Sequence, residues 1–259
     1  MEFNCFECGQ SITASDLSEL GETYVAHARS RHEWPYPDQA IRNYAEATQR
    51  LTGGSERLSV VGDVAIEPAT CDRTADWLDF FDHDAFVGQP EWAGCYCLEP
   101  HVLPAPGQGD QLEVRPWRET RAIMEDRICS GETSGYLAYV DHKPAGWVNA
   151  SNRSDYSIYY RPAHEEAPGG ADVIGVSCFM IAPPYRGHGI ASRLLDRVIS
   201  DAPDRGAKWV EAYPFNDPGN SEAHNFRGPR SMFDKRGFEP IEVRDRDTIV
   251  RLDLAAASG

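Results

Sequence analysis

One stretch limits the available folds more than any other. Val173 to Ile181 is a nine-residue run without a charge, the pattern of a strand buried on both faces. Pro183 and Pro184 stop it, and Arg186-Gly187-His188-Gly189 follows. Ile190, Leu194, Leu195, Val198 and Ile199 then form an apolar stripe at helical spacing, ended near Pro203. A buried strand, a glycine turn and a helix start together make an anion site. The first N–H groups of a helix lack internal partners, and the helix dipole is positive at that end. Gly187 and Gly189 let the backbone approach a ligand without a Cβ in the way. Arg186 adds a fixed charge with several donors for phosphate oxygens. The stretch asks for a pyrophosphate.

The charge pattern points the same way. The chain carries a formal net charge of −16, yet two segments run against it. Tyr185 to Lys208 holds five basic residues against three acidic ones, and Asn225 to Arg236 holds four against Asp234 alone. A P-loop would need Gly-x-x-x-x-Gly-Lys-Ser/Thr, which does not occur. A dinucleotide fingerprint would need a third glycine where Ser192 stands, although Glu211 sits near the place of a ribose-binding acid. The chain beyond it reads as one short helix and two strands, too little for a doubly wound sheet.

Arg186-Gly187-His188-Gly189-Ile190-Ala191 resembles the Arg/Gln-x-x-Gly-x-Gly/Ala signature of the GNAT superfamily of N-acetyltransferases. The likeness runs from about Asp63 to the C-terminus, with Gly237-Phe238 about 50 residues past the signature. It implies an α+β fold: a central, mostly antiparallel mixed sheet with flanking helices, splayed open at an acetyl-CoA cleft. It implies that the amides of Gly187, His188, Gly189, Ile190 and Ala191, with Arg186, hold the pyrophosphate. The backbone of Phe179, Met180 and Ile181 would bind the pantetheine and thioester. The usual general acid is a tyrosine four residues before the glycine of the Gly-Phe pair, and Phe233 stands there. Tyr213, Tyr185 and Cys178 are substitutes. Tyr213 leads because it falls beside the splay, with Glu211 as the matching base on the same strand face.

The remaining chain reads as elements around this unit. A helix begins near Pro37, and Thr52 to Ser55 is a flexible linker that separates a 1–55 module from a 56–259 domain. A strand at Val64 to Thr70, a helix from Arg73 to Phe86 and a helix from Trp117 to Cys129 follow. Asp141 to Pro144 turns a hairpin, and Asn152 to Gly170 is a polar loop expected to move or to act as a lid. Trp209, the strand around it, a short helix closed at Gly237 and two last strands end the chain. The acceptor pocket is expected from the front half, with Trp92, Tyr96, Phe80 and Phe81 as wall residues or core. Cys95, Cys97 and His101, with Cys71 or His83, read as packed thiols in preference to metal ligands.

Cys5-x-x-Cys8, eighteen residues, then His27 and His32 resembles a two-Cys/two-His zinc finger with a long spacer. A unit of about 34 residues cannot build a sufficient core alone, so Zn²⁺ would supply stability. DNA reading is not implied, since residues 1–55 carry four arginines and no lysine against eight acidic residues, and a finger-driven DNA binder ranks last among the readings. A protein partner or self-association suits the module better.

The overall acidity argues against nucleic acid and anionic membranes. No secretion signal or apolar span is visible, and seven cysteines at irregular spacing are a poor disulfide framework, so the expectation is cytoplasmic. The resulting reading is an acetyl-CoA-dependent N-acetyltransferase for a primary amine, small-molecule before protein, with polyamine-like or aminoglycoside-like cations suited to the acidic surface. An acyl-CoA-binding sensor or docking protein with little catalysis is the alternative, and a nucleotide-dependent oxidoreductase comes after it.

Overall fold

The computed structural model describes residues 1–102, 114–157, 160, 162–163, 172–217, 219 and 225–255. The chain opens with a hairpin that the sequence had not signalled. Strands β1 (Glu2–Asn4) and β2 (Ser11–Thr13) pair antiparallel around the Cys5–Gly9 knuckle, where Gly9 takes φ +70°. Helix α1 (Leu17–Arg31) is capped by Asp16, whose side chain accepts the Glu19 N–H at 2.9 Å, while Glu19 reaches back to the Ser15 N–H at 2.7 Å. Leu20, Tyr24 and Ala28 of α1 pack on Ile41 and Ala45 of helix α2 (Asp38–Arg50), with Cys5 and Ile12 closing a small core.

The other side of α2 faces the rest of the protein through polar groups that are buried and paired. Asn43 donates to the Arg115 carbonyl at 2.8 Å, and the Trp117 indole donates to Glu46 at 2.8 Å. Arg50, 8 % exposed, donates to the Tyr96 hydroxyl at 2.9 Å and the Asp82 carbonyl at 3.0 Å. Buried charge is tolerable when bonded in this way. α2 is therefore a wall shared by both halves of the chain.

A seven-stranded sheet forms the larger unit, in the order β3-β4-β5-β6-β7-β9-β8. Its strands are β3 (Val64–Pro68), β4 (Gly135–Val140), β5 (Lys143–Asn152), β6 (Val173–Ile181), β7 (Trp209–Ala212), β8 (Glu239–Val243) and β9 (Thr248–Asp253). All neighbours run antiparallel except β6 and β7. The β4–β5 turn has Asp141 and His142 at φ +47° and +70°, the two-residue geometry that matches strand twist. One face is covered by α5 (Ile190–Asp201), whose Ile190, Leu194, Leu195 and Val198 are buried as the stripe required. α6 (Arg230–Asp234) joins that side through Met232 and Phe233. The opposite face is covered by α3 (Thr74–Asp79), which continues into a wide turn through Asp84, and by α4 (Trp117–Ser130). This is the expected mixed sheet with flanking helices.

Some local expectations change. Cys71 and Cys129 form a disulfide that ties the approach to α3 to the end of α4, leaving five thiols free. Spacing could not reveal this pair, because the chain between them folds back on itself. The strand around Trp209 is short, four residues ending at Ala212. Arg153, Tyr156 and Tyr160, from the stretch read as a polar lid, are buried in the core. The lid expectation for 158–159, 161 and 164–171 lies outside the described residues.

Candidate active site

The parallel pair β6–β7 sets the site. Val173, Ile174, Gly175 and Val176 pair with Trp209, Val210, Glu211 and Ala212, and there the pairing stops. Past Val176 the strands part, and a cleft of about 390 Å³ opens. Phe179, Met180 and Ile181 form one side, Tyr185 to Gly187 and Gly189 to Ser192 the base, and Asn225, Phe226, Gly228, Pro229, Ser231, Met232, Lys235 and Arg236 the other side. Ala85, Phe86, Gln89 and Trp92, from the front half, complete the lining.

At the base, Gly187 and Gly189 take φ +82° and +76°, which side chains other than hydrogen resist. The first backbone bond of α5 is Arg193 N–H to the Gly189 carbonyl, at 3.1 Å. Among the described residues, the N–H groups of Gly187, His188, Gly189, Ile190, Ala191 and Ser192 donate to no backbone carbonyl. Six such donors at a helix start, five of them on residues that line the cleft, make a cradle of the kind that suits an anion. Arg186, Lys235 and Arg236 also line it. Arg236 is held by Asp196 at 2.5 and 3.0 Å, and Arg186 donates to the Ile181 carbonyl at 2.9 Å. His188 turns away: its Nε2 lies 2.9 Å from the Leu58 carbonyl.

That contact exposes a residue the sequence reading missed. The chain leaving the N-terminal module crosses the cradle, with the Leu58 N–H donating to the Pro184 carbonyl at 2.9 Å. Arg57 comes over Gly187, its Nη1 3.3 Å from the point a Cβ there would occupy. A signal existed: Arg57 is the single basic residue between Leu51 and Asp72.

The pantetheine strand is only partly open. The Phe179 N–H points into the splay and donates to the Phe226 carbonyl at 2.6 Å. Phe226 in turn meets Trp92 edge-on, ring centres 6.3 Å apart, so an aromatic pair bridges the two walls. Phe233 is fully buried against Phe179 and Phe238 and packs beneath Gly228.

The expected acid and base lie elsewhere. Glu211 is fully buried and paired with Arg153 at 2.9 Å and with Arg251. Tyr213, also fully buried, donates to Glu211 at 3.4 Å and packs edge-on against Tyr160. Burial and the neighbouring Glu211 push the Tyr213 hydroxyl well above its ordinary range. Neither residue is among those lining the cleft. They sit behind the splay, where a carboxylate between two guanidinium groups makes a poor base. Of the three proton donors considered, Tyr185 alone lines the cleft.

Cys95, Cys97 and His101 are packed groups. Cys97 Sγ lies 3.2 Å from Cys178 Sγ, and burial pushes the Cys95 thiol up to about 12. His101 sits with its Nε2 2.9 Å from the Asn149 amide nitrogen, and burial with Arg127 nearby brings it down to about 4. Of the two further ligands considered, Cys71 is in the disulfide and His83 has its Nδ1 3.0 Å from the Arg50 carbonyl. Tyr96, Phe80 and Phe81 are core, and only Trp92 of the four aromatics reaches the cleft.

In the module, the four expected ligands converge. One ligand atom each from Cys5, Cys8, His27 and His32 lies within 4.8 Å of the others. Cys5 Sγ is 3.4 Å from His32 Nε2, Cys8 Sγ is 3.5 Å from His27 Nε2, and the two Nε2 atoms are 3.2 Å apart. Tetrahedral zinc separates sulfur from nitrogen by about 3.5 Å and nitrogen from nitrogen by about 3.3 Å. The donor set fits the ion. Burial works against a Cys5 thiolate, yet the Cys8 and Glu7 backbone N–H groups, with His27 and Tyr24, outweigh it and bring the thiol to about 6. Glu7 stands 3.4 Å from His32 Nδ1, as an outer carboxylate orienting a ligand would.

Residues 104–227 match the model of the acetyltransferase (GNAT) family. No curated protein matches the chain in sequence. Among solved structures, an N-acetyltransferase from Staphylococcus aureus Mu50 aligns at 16% identity and TM-score 0.45, covering 74% of this chain and 99% of that one. YncA, a putative acetyltransferase from Salmonella typhimurium with its cofactor acetyl-CoA, aligns at 15% identity and TM-score 0.42, covering 74% and 94%. The PaiA N-acetyltransferase from Thermoplasma acidophilum, in complex with coenzyme A, aligns at 13% identity and TM-score 0.45, covering 74% and 98%. No helix among the described residues is long and apolar enough to cross a membrane.

Proposed function

We propose that this protein transfers an acetyl group from acetyl-CoA to the nitrogen of a small-molecule amine in the cytoplasm. The observation that carries the reading is the row of six unengaged N–H groups from Gly187 to Ser192 at the base of the splayed cleft. They bind the pyrophosphate, with Arg186, Lys235 and Arg57 adding charge. The end of β6, Phe179 to Ile181, holds the pantetheine arm, so Phe226 gives up its bond to the Phe179 N–H when the arm enters. Positioning the thioester beside the amine supplies most of the acceleration, since bringing two reactants into register is worth several kcal/mol. Glu211 and Tyr213 support the closed end of the strand pair and take no part in proton transfer.

The module binds one Zn²⁺ through Cys5, Cys8, His27 and His32, and the ion supplies cross-linking stability. Exposed Phe6 and Tyr36 give the module an apolar surface for a protein partner or a second copy.

Isothermal titration with coenzyme A, followed by free-thiol release from acetyl-CoA in the presence of amines, tests the reading. Micromolar binding with amine-dependent thiol release is expected; absence of binding would refute it. A second reading, an acyl-CoA-binding protein without turnover, is favoured by Phe233 at the usual acid position and by the engaged Phe179 N–H. Binding without thiol release on any amine selects it.

A further inference from the structure

The cleft lining combines two chemistries. Arg186, Lys235 and Arg236 are cationic, whereas Phe86, Gln89, Trp92 and Phe226 are apolar or neutral. Among the described lining residues there is no aspartate, glutamate or histidine. A polyamine would find no counter-charge among these described residues, whatever the acidic outer surface does to attract it. An alkylamine meets a second obstacle. At neutral pH only about one molecule in a few thousand is uncharged when the pKa is near that of lysine, and the described lining offers no base to take its proton. The titratable groups facing this space are Tyr185, Arg186, Lys235 and Arg236, of which three are cations. A positive field further disfavours an ammonium ion.

Gln89 adds a specific request. Its Nε2 donates to the Gly88 carbonyl at 2.5 Å, which fixes the amide orientation. Its Oε1 is buried and has no hydrogen-bond partner among the described residues. A buried acceptor without a donor is unfavourable until a ligand brings one. The backbone around it is set, since the Trp92 N–H donates to the Gln89 carbonyl at 3.1 Å. Gln89 Oε1 and the Trp92 ring therefore belong to one turn, and Phe226 faces that ring from the opposite wall.

Building on the acetyltransferase reading, we propose that the acceptor is a weakly basic aryl amine, with its nitrogen bonded directly to an aromatic ring. Its ring sits with Trp92, Phe86 and Phe226, and one N–H donates to Gln89 Oε1. Such a nitrogen is uncharged at neutral pH and needs no base before attack. Its lone pair forms the C–N bond at the thioester carbonyl, and the C–S bond breaks with its electron pair leaving on sulfur. The nitrogen then loses one proton through solvent to the departing thiolate. The products are an N-aryl acetamide and coenzyme A.

The test uses the full chain with acetyl-CoA and matched acceptors: aniline, cyclohexylamine, phenol and spermidine. Aniline is expected to exceed cyclohexylamine in kcat/KM at least 100-fold at pH 7, with a profile flat from pH 6.5 to 8.5. Gln89→Leu is expected to lower kcat/KM for aniline about tenfold while leaving KM for acetyl-CoA unchanged. Gln89→Glu, which keeps an acceptor oxygen, should retain more activity than Gln89→Leu. Preference for cyclohexylamine, spermidine or phenol, or full aniline activity in Gln89→Leu, overturns the inference and leaves the transferase reading standing. Coenzyme A binding with no thiol release on any acceptor overturns both.

Discussion

β6 is one strand with two different halves. From Ile174 to Val176 it is paired on both edges, and the buried charges nearby are matched: Glu211 with Arg153 and Arg251, Asp247 with Arg227 at 2.7 Å. From Ser177 to Ile181 it loses its parallel partner and faces a cleft lined by cations, aromatic rings and unengaged N–H groups. Buried charge at the closed half serves structure, because the buried carboxylates of Glu211 and Asp247 are paired with arginines. The open half holds six unengaged backbone N–H groups and one unmet acceptor, Gln89 Oε1, which are free to meet a ligand. Chemical potency of a side chain is thus a poor guide to function when its partners are ignored.

The contrast breaks if Glu211 acts in transfer. Glu211→Ala leaves buried Arg153 and half-buried Arg251 without their carboxylate and should cost about 3–5 kcal/mol in urea unfolding. Turnover per folded molecule should stay within a fewfold of the parent. A large fall in kcat with stability intact would move the chemistry to the closed half.

His101 offers a pH test of the same half. Its value in the fold, about 4, lies below the roughly 6.5 of a free histidine, so the unfolded chain takes up the proton first. The contribution is complete above pH 6.5 and is lost as pH falls toward 4, by no more than about 3 kcal/mol. Melting curves across that window should steepen in the parent relative to His101→Asn.

At the open half the expected losses fall on binding. Gly189→Val forces a branched side chain to φ +76° at the cradle. Coenzyme A affinity should drop roughly 100-fold, or about 2.7 kcal/mol, with the fold retained. Unchanged affinity would erase the distinction between the halves. Arg57→Ala should have the smallest effect, raising KM for acetyl-CoA about fivefold, as expected for one exposed cation near phosphate and more so at low salt.

The open half was more legible in sequence than the closed half. Gly187, Gly189 and the stripe from Ile190 to Ile199 are contiguous, so turn chemistry and helical period reveal the cradle without tertiary information. The cluster of Cys5, Cys8, His27 and His32 was legible for a similar reason, since chain spacing alone limits what the four can share. Glu211 and Tyr213 misled because strand alternation gives a face but no neighbours. Their partners come from 58 residues upstream at Arg153 and 40 downstream at Arg251. Gln89 was hidden in a Pro- and Gly-rich stretch without periodicity, and Arg57 in what read as a linker. Their roles arise only when distant segments meet.

The central claim is that the backbone of Gly187 to Ser192 is the anion site. Amide ¹⁵N–¹H spectra recorded during a coenzyme A titration address it directly. The six amides should shift together and saturably, and inorganic pyrophosphate should reproduce the shifts at higher concentration. Binding of coenzyme A with those six resonances unmoved would contradict it.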